Sequence, residues 1–413
     1  MHMQAIIGLF FLAGIAFLFS ENKRRVSLKG IVAGLVLQLI IAAVLLNLPF
    51  FRELFLFLNR LVLALEESAL AGTSFVFGYL GGGTLPFSEN KPGAAFILAF
   101  QALPLVLVVG ALASLFFYWR ILPLVVKTLS LLFQKTLNIG GALSLGTATT
   151  MFLGMVEAPL LIKPYLKEMT RSELFSLMAV GMASIAGTVM VLYSTLLKGI
   201  IPDALGHILT ASLIHIPAAL TISRIMIPET GEQTSGIMAP DQTAKSSMDA
   251  LTKGTLDALT LLINIVAMLI VAVALVHLVN LALGLLPAIA GKPVTLQMLL
   301  GYIMAPVVWL FGIPWAEART AGALMGTKTI LNELLAFIDL SQLPPDALSM
   351  RSKLIMTYAL CSFANFGSLG IMIGGLGSMV PERRTEVVAL GMRSLIAGTL
   401  ATCMTGAVVS FFI

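Results

Sequence analysis

Gly154-Met155-Val156-Glu157-Ala158-Pro159 and Thr329-Ile330-Leu331-Asn332-Glu333-Leu334 each set a glutamate at the centre of an otherwise apolar stretch. The first lies within Gly140–Leu166, the second within Thr320–Ile338. An ionised carboxylate at the middle of a bilayer costs at least about 2.5–3.5 kcal/mol, so it is kept only where it faces a partner or a water-filled path. Each stretch is followed by an apolar segment with a small, polar break: Met182-Ala183-Ser184-Ile185-Ala186-Gly187 in the first case and Phe363-Ala364-Asn365-Phe366-Gly367-Ser368 in the second. One more apolar segment closes each unit. The chain therefore contains a repeat whose parts are a re-entrant hairpin, a broken span and a further span. The two hairpins enter from opposite sides, which makes the repeat an inverted one. Backbone groups left free at four such breaks would be costly in hydrocarbon unless they converged on a cavity.

Composition agrees with a membrane setting. Of 413 residues, 58% are hydrophobic and only 11% charged, and the mean hydropathy is +1.00. A soluble chain could not hide that much apolar surface. The expected architecture is an all-α polytopic membrane protein of eight transmembrane helices, at Gln4–Ser20, Gly30–Leu48, Ala94–Tyr118, Glu173–Leu197, Leu205–Met226, Thr255–Leu286, Leu354–Leu376 and Val387–Phe412. Phe50–Leu65 and Ile121–Leu137 read as interfacial helices, Gly78–Gly93 as a loop and Ile227–Lys253 as a polar linker. Gln4–Ser20 has no charged n-region and no small-residue cleavage site, so it reads as a span and not a signal peptide. Basic residues cluster after alternate spans, from Lys23, Arg24 and Arg25 to Arg383 and Arg384. The positive-inside rule puts them in the cytoplasm and both termini in the periplasm of a bacterial inner membrane. The net charge of +5 thereby needs no nucleic acid. Cys361 and Cys403 lie in apolar segments without metal-ligand spacing and read as core residues.

The candidate site follows from the breaks. Glu157 and Glu333 are expected to accept hydrogen bonds from a polyhydroxylated solute and to take part in proton coupling; the bland alternative is an ion pair with Lys163 or Lys328. Asn365 and Ser368 would share a face in a helix, with Phe363 and Phe366 as an aromatic wall. Thr147, Thr149, Thr150 and Ser184 could ligate a hard cation, or bond back to helix carbonyls. His277 reads as a packed residue, and the other histidines as lying near ends or loops. No Walker A sequence, His/Cys cluster or nucleophile–base set is present to support a pump or an enzyme.

Taken in order, Gly72-Thr73-Ser74-Phe75-Val76-Phe77-Gly78, Gln101-Ala102-Leu103-Pro104, Phe152-Leu153-Gly154 with Glu157-Ala158-Pro159, Gly181–Gly187, Asn332-Glu333 and Phe363-Ala364-Asn365 make the whole chain resemble the concentrative nucleoside transporters. The resemblance implies a homotrimer with an elevator-like movement. It implies a scaffold in residues 1–138 and in 227–316 (linker and span 6), and a transport domain in 139–226 and 317–413. It implies substrate contacts from Gly154, Met155, Val156, Glu157, Glu333, Phe363, Asn365 and Ser368, with the glutamates, Asn365 and Ser368 serving mainly the ribose. Coupling-ion positions would be Thr150, Leu153, Ser184, Ile185, Glu157 and Glu333, with no other cofactor. Two departures from the family pattern stand out. Met155 and Val156 replace the Gln and the polar residue that read the nucleobase, so base recognition is altered and a modified nucleoside or other ribosyl solute becomes an alternative substrate. Thr150 stands where sodium-coupled members have Asn, and the Thr149-Thr150 pair resembles the proton-coupled bacterial branch. Proton symport is therefore expected, with sodium symport and a non-transporting nucleoside receptor as alternatives.

Overall fold

The computed structural model describes residues 2–88, 95–235, 244–288 and 293–413, all helix and connecting loop without β-strands. The side chain of Glu157 lies outside the described set, as do residues 89–94 of the expected loop and third span and residues 236–243 of the linker.

The chain opens with α1 (His2–Leu18), α2 (Leu28–Asn47) and α3 (Pro49–Phe77). Then come α4 (Leu98–Gln101), α5 (Leu105–Tyr118) and α6 (Ile121–Leu137). The segment of the first expected repeat holds α7 (Gly141–Leu153), α8 (Glu157–Leu161), α9 (Lys163–Leu166), α10 (Arg171–Ala183), α11 (Gly187–Leu197) and α12 (Ala204–Met226). The long α13 (Ser247–Leu283) and α14 (Leu296–Leu310) lead to the segment of the second expected repeat: α15 (Trp315–Ile330), α16 (Glu333–Gln342), α17 (Met350–Leu360), α18 (Phe366–Met379) and α19 (Arg384–Val409).

Both broken stretches are broken in the structure. The backbone leaves helix at 154–156 and at 331–332, and the following spans part at 184–186 and 361–365. Gly154, with φ +91, ends α7 in a conformation that favours glycine. Asn332 and Asn365 start α16 and α18 as N-caps, their side chains accepting from Leu335 N and Ser368 N. The capping box of Thr170 and Glu173 starts α10.

Several boundaries differ from expectation. The expected interfacial helix Phe50–Leu65 runs on to Phe77, because nothing stops it before Gly78 at φ +60. The third span is interrupted at Ala102–Pro104, where Pro104 has no N–H to donate. The sixth begins earlier, at Ser247, where the Ser246 side chain accepts from Asp249 N. No expected element covers α14, which packs along α15 at a bend of 116°. Gly312 at φ +107 makes that turn.

Five helices among the described residues are long and apolar enough to cross a membrane: α2, α4 with α5, α12, α13 and the last helix with its leading turn. The bent pair α14–α15 would make a sixth. The core is built around α12, which is mostly buried and packs on α2, α10 and α19. By contrast α13 packs on α5 and leaves most of its apolar surface open, as expected for a helix facing lipid or a neighbouring protein. His277 is on that open surface and not packed. Packing does not follow chain order, since α1 and α2 both lie against α12 and α19.

The loop after α1 is tied to both α10 and α19. Glu21 accepts from Arg171 at 2.9 Å and pairs with Arg393, while Arg171 reaches Glu386 at 3.2 Å. The hydrogen bond from Arg171, joined by the charge of Arg393, holds the Glu21 carboxyl below its ordinary pKa.

Candidate functional site

A cavity of about 470 Å³ opens between the broken elements and the α5–α13 pair. From the first break it is lined by Leu153, Gly154, Met155 and Val156, and from the second by Asn332 and Glu333. Phe363, Asn365 and Ser368 line it from the α17–α18 break. Every expected substrate residue whose side chain is described therefore faces one space, while Phe366 is half exposed and outside it.

Local packing fixes the depth of the first tip. A Cβ on Gly181 would lie 3.1 Å from the Cβ of Met155, one on Gly375 2.9 Å from Val156 Cγ1, and one on Gly187 3.0 Å from the Phe152 carbonyl oxygen. Three helices thus use glycine to let the α7–α8 tip approach. The two span breaks also bond to each other, Phe363 N donating to Ser184 O at 3.0 Å.

Glu333 is the polar centre of the site. It is 5% exposed, and both carboxylate oxygens are engaged: Tyr193 Oη donates to Oε1 at 2.6 Å and Asn365 Nδ2 to Oε2 at 2.9 Å. Asn365 Oδ1 in turn accepts from Ser368 N at 2.7 Å, which fixes the amide's orientation. The Tyr193 ring rests on Phe337, with centroids 5.0 Å apart. The bland alternative for Glu333 is not what the structure shows: Lys328 Nζ donates to Ala359 O and Thr402 Oγ1, not to the carboxylate. Lys163 is exposed. A carboxylate oriented by two donors and open to a cavity is suited to accept from a pair of solute hydroxyls.

Sequence reasoning missed Tyr193, whose partner lies 140 residues away. It also missed His215, which is inside α12 and not near an end, and the contact of His207, which is in the first turn of that helix. There His207 Nδ1 meets Tyr358 Oη at 2.9 Å and His215 Nε2 meets Tyr358 O at 3.1 Å. Asn264 and Asp257, which line the cavity from α13, were not singled out either.

The expected coupling-ion residues are less uniform. Thr150 and Ser184 are buried, but their hydroxyls bond to Gly146 O and Gly181 O of their own helices. Thr149 does the same with Leu145 O. Ile185 is fully buried, and Thr147 has a buried hydroxyl with no hydrogen-bond partner. Among the described residues no group of three or more His, Cys, Asp or Glu is placed to hold a metal ion.

Comparison with known proteins gives a consistent result. Family models match over three segments: the Na+ dependent nucleoside transporter N-terminus at residues 7–80, nucleoside recognition at 99–199 and the Na+ dependent nucleoside transporter C-terminus at 207–410. The putative nucleoside permease NupX of Escherichia coli is 34% identical, over 100% of this chain and 99% of its own. The nucleoside permease NupC of Helicobacter pylori is 33% identical, over 99% and 97%. The structure of CNTnw in an inward-facing substrate-bound state superposes with a TM-score of 0.90 at 30% identity, over 100% of this chain and 98% of that one. A variant of the same protein in an outward-facing state superposes with a TM-score of 0.90 as well.

Proposed function

The chain belongs to the concentrative nucleoside transporter family, whose members are carriers and not enzymes, and from that premise we propose that it imports nucleosides by nucleoside:proton symport across a bacterial inner membrane. Its movement is elevator-like alternating access, and it works as a homotrimer. The observation that carries this is Glu333, held by Tyr193 and Asn365 at the wall of a cavity that also takes in the 154–156 break. The cavity's volume of about 470 Å³ falls within the range of small-molecule sites, about 300–1,000 Å³. Glu333, Asn365 and Ser368 bind the ribose, with Glu157 from the facing hairpin.

The fold completes the proposal as eight spans and two re-entrant hairpins, α7–α8 and α15–α16, with α10–α11 and α17–α18 as broken spans and both termini periplasmic. Residues 139–226 and 317–413 form the moving body. Close packing of α1 and α2 on α12 and α19 favours their travelling with it, which leaves α5 and α13 as the core of the fixed scaffold. Proton coupling rests on the Thr149-Thr150 pair, whose hydroxyls are spent on their own helix.

The base end of the site favours an altered specificity. Met155 is buried against Gly181, and Val156 packs on Gly375. Neither side chain can offer a bidentate polar contact. A modified nucleoside read mainly through its ribose is the second proposal for the substrate. The test is uptake of labelled uridine, adenosine and pseudouridine into proteoliposomes under imposed proton or sodium gradients. Accumulation driven by an inward proton gradient without sodium is expected. Sodium dependence at a fixed proton gradient overturns proton coupling, and binding without accumulation would make the protein a receptor.

A further inference from the structure

Lys328 is a buried charge near the site that substrate recognition leaves unused. It is fully buried on α15, five residues before Glu333. Its ammonium donates to Ala359 O at 3.1 Å and to Thr402 Oγ1 at 3.2 Å. Ala359 is in the last turn of α17, where the helix stops at the span break. The last carbonyls of a helix have no intrahelical donor and carry the negative end of its dipole. A carbonyl at a helix C-terminus together with a threonine hydroxyl is the kind of oxygen pair that binds a hard cation. Here the pair is filled by a cation on the protein's own chain.

The first repeat has no counterpart. Counted back from the hairpin glutamate, the matching position is Phe152; counted back from the end of α7, it is Met151. Neither is charged. Lys163 is exposed and turned to solvent, and the buried Thr147 hydroxyl of α7 is without a partner. One break thus holds a tethered ammonium and the other does not.

We propose that Lys328 is a covalently attached cation serving the second broken span, so that this carrier needs a mobile coupling cation only at the first. This deepens the transport reading and rests on it for the word coupling. Lys328 acts through α17 and the 361–365 break, which carry Phe363 and Asn365, and is a positioning residue.

The experiment uses the full-length protein in detergent and in proteoliposomes. Lys328→Met vacates the position. In choline chloride the variant should lose uridine uptake by about tenfold or more, the scale of a charge removed from a buried helix C-terminus. Ammonium or sodium chloride should restore part of the uptake and raise the variant's thermal midpoint more than the wild type's. The exchange Lys328→Thr with Thr402→Lys returns an ammonium to the Ala359 carbonyl from α19 and a threonine hydroxyl from α15, and should restore folding and uptake even if Lys328→Met does not fold. Wild-type behaviour of Lys328→Met in choline overturns the proposal. So does a damaged variant that no cation improves, or failure of the exchange to fold and transport. Cation-dependent stability is measured without nucleoside, so a wild type that moves no nucleoside would refute the proposed function and leave this result standing on its own.

Discussion

Asn365→Asp isolates the contact on which the site depends. The substitution keeps the oxygen that caps α18 and exchanges the Nδ2 donor for a second carboxylate oxygen. Nδ2 stands 2.9 Å from Glu333 Oε2. Two unit charges of like sign at that 2.9 Å separation repel by about 6 kcal/mol at an effective dielectric constant of about 20. Side chains can swing apart, but even a third of this, about 2 kcal/mol, exceeds the 1.36 kcal/mol that corresponds to one pH unit. A proton shared between the two oxygens relieves the repulsion, as in other paired carboxylates. The assay is the initial rate of labelled uridine uptake into proteoliposomes from acid to alkaline pH, with internal and external pH equal and sodium as the only gradient-free salt. Asn365→Asp should be nearly inactive at alkaline pH and should recover steeply on acidification. Asn365→Ser keeps a capping oxygen but no donor of equal reach, and should be depressed at every pH. If Asn365→Asp shows the wild-type KM and the wild-type pH profile, Asn365 and Glu333 are not in contact in the working protein, and the assignment of the ribose subsite fails with them.

Tyr193→Phe removes the other donor to Glu333 and leaves the ring on Phe337. The lost bond to a charged acceptor is worth about 1.5–3 kcal/mol, so kcat/KM for uridine should fall by about ten- to a hundredfold. Unchanged uptake would remove Tyr193 from the site. Glu21→Gln tests the charged ties of the α1–α2 loop to α10 and α19. Because pairing lowers the folded-state pKa of Glu21, its contribution is complete above the ordinary carboxylate value and is lost as pH falls through the lower folded value. The thermal midpoint of the wild type should exceed that of Glu21→Gln at neutral pH, with the gap closing in acid and shrinking in high salt. A gap that persists in acid contradicts the pairing.

What the sequence made legible were the costly features. A glutamate in an apolar stretch, or an Asn-x-x-Ser set inside a span, stands out because hydrocarbon penalises it. These residues located the breaks and the cavity wall, but not the bond between Asn365 and Glu333. Cheap features were illegible. Tyr193 is an ordinary aromatic in an apolar helix until its hydroxyl is seen on Glu333, and nothing local predicts a partner 140 residues away. Lys328 reads naturally as the counter-ion of its near neighbour Glu333, yet it bonds to α17 and α19. Leu296–Leu310 carries no charged residue, and its 116° turn into α15 depends on Gly312, which sequence alone does not distinguish from the chain's other 35 glycines, given 36 in all.

The glycines carry the same lesson to the specificity of the site. Met155 and Val156 can be recognised as unsuited to polar base contacts from their identity alone. How deep they sit is set elsewhere, by Gly181 on α10 and Gly375 on α18, each leaving space for one of them. A methyl group at either glycine would move the tip by a few tenths of an ångström or more, since close-packed interiors transmit such changes and do not absorb them. Under the proposed reading of the site, substrate choice is therefore a property of pairs, a tip residue and the glycine that admits it. Restoring polar side chains at 155 and 156 alone would alter base recognition only as far as those two glycines leave room for the larger polar group.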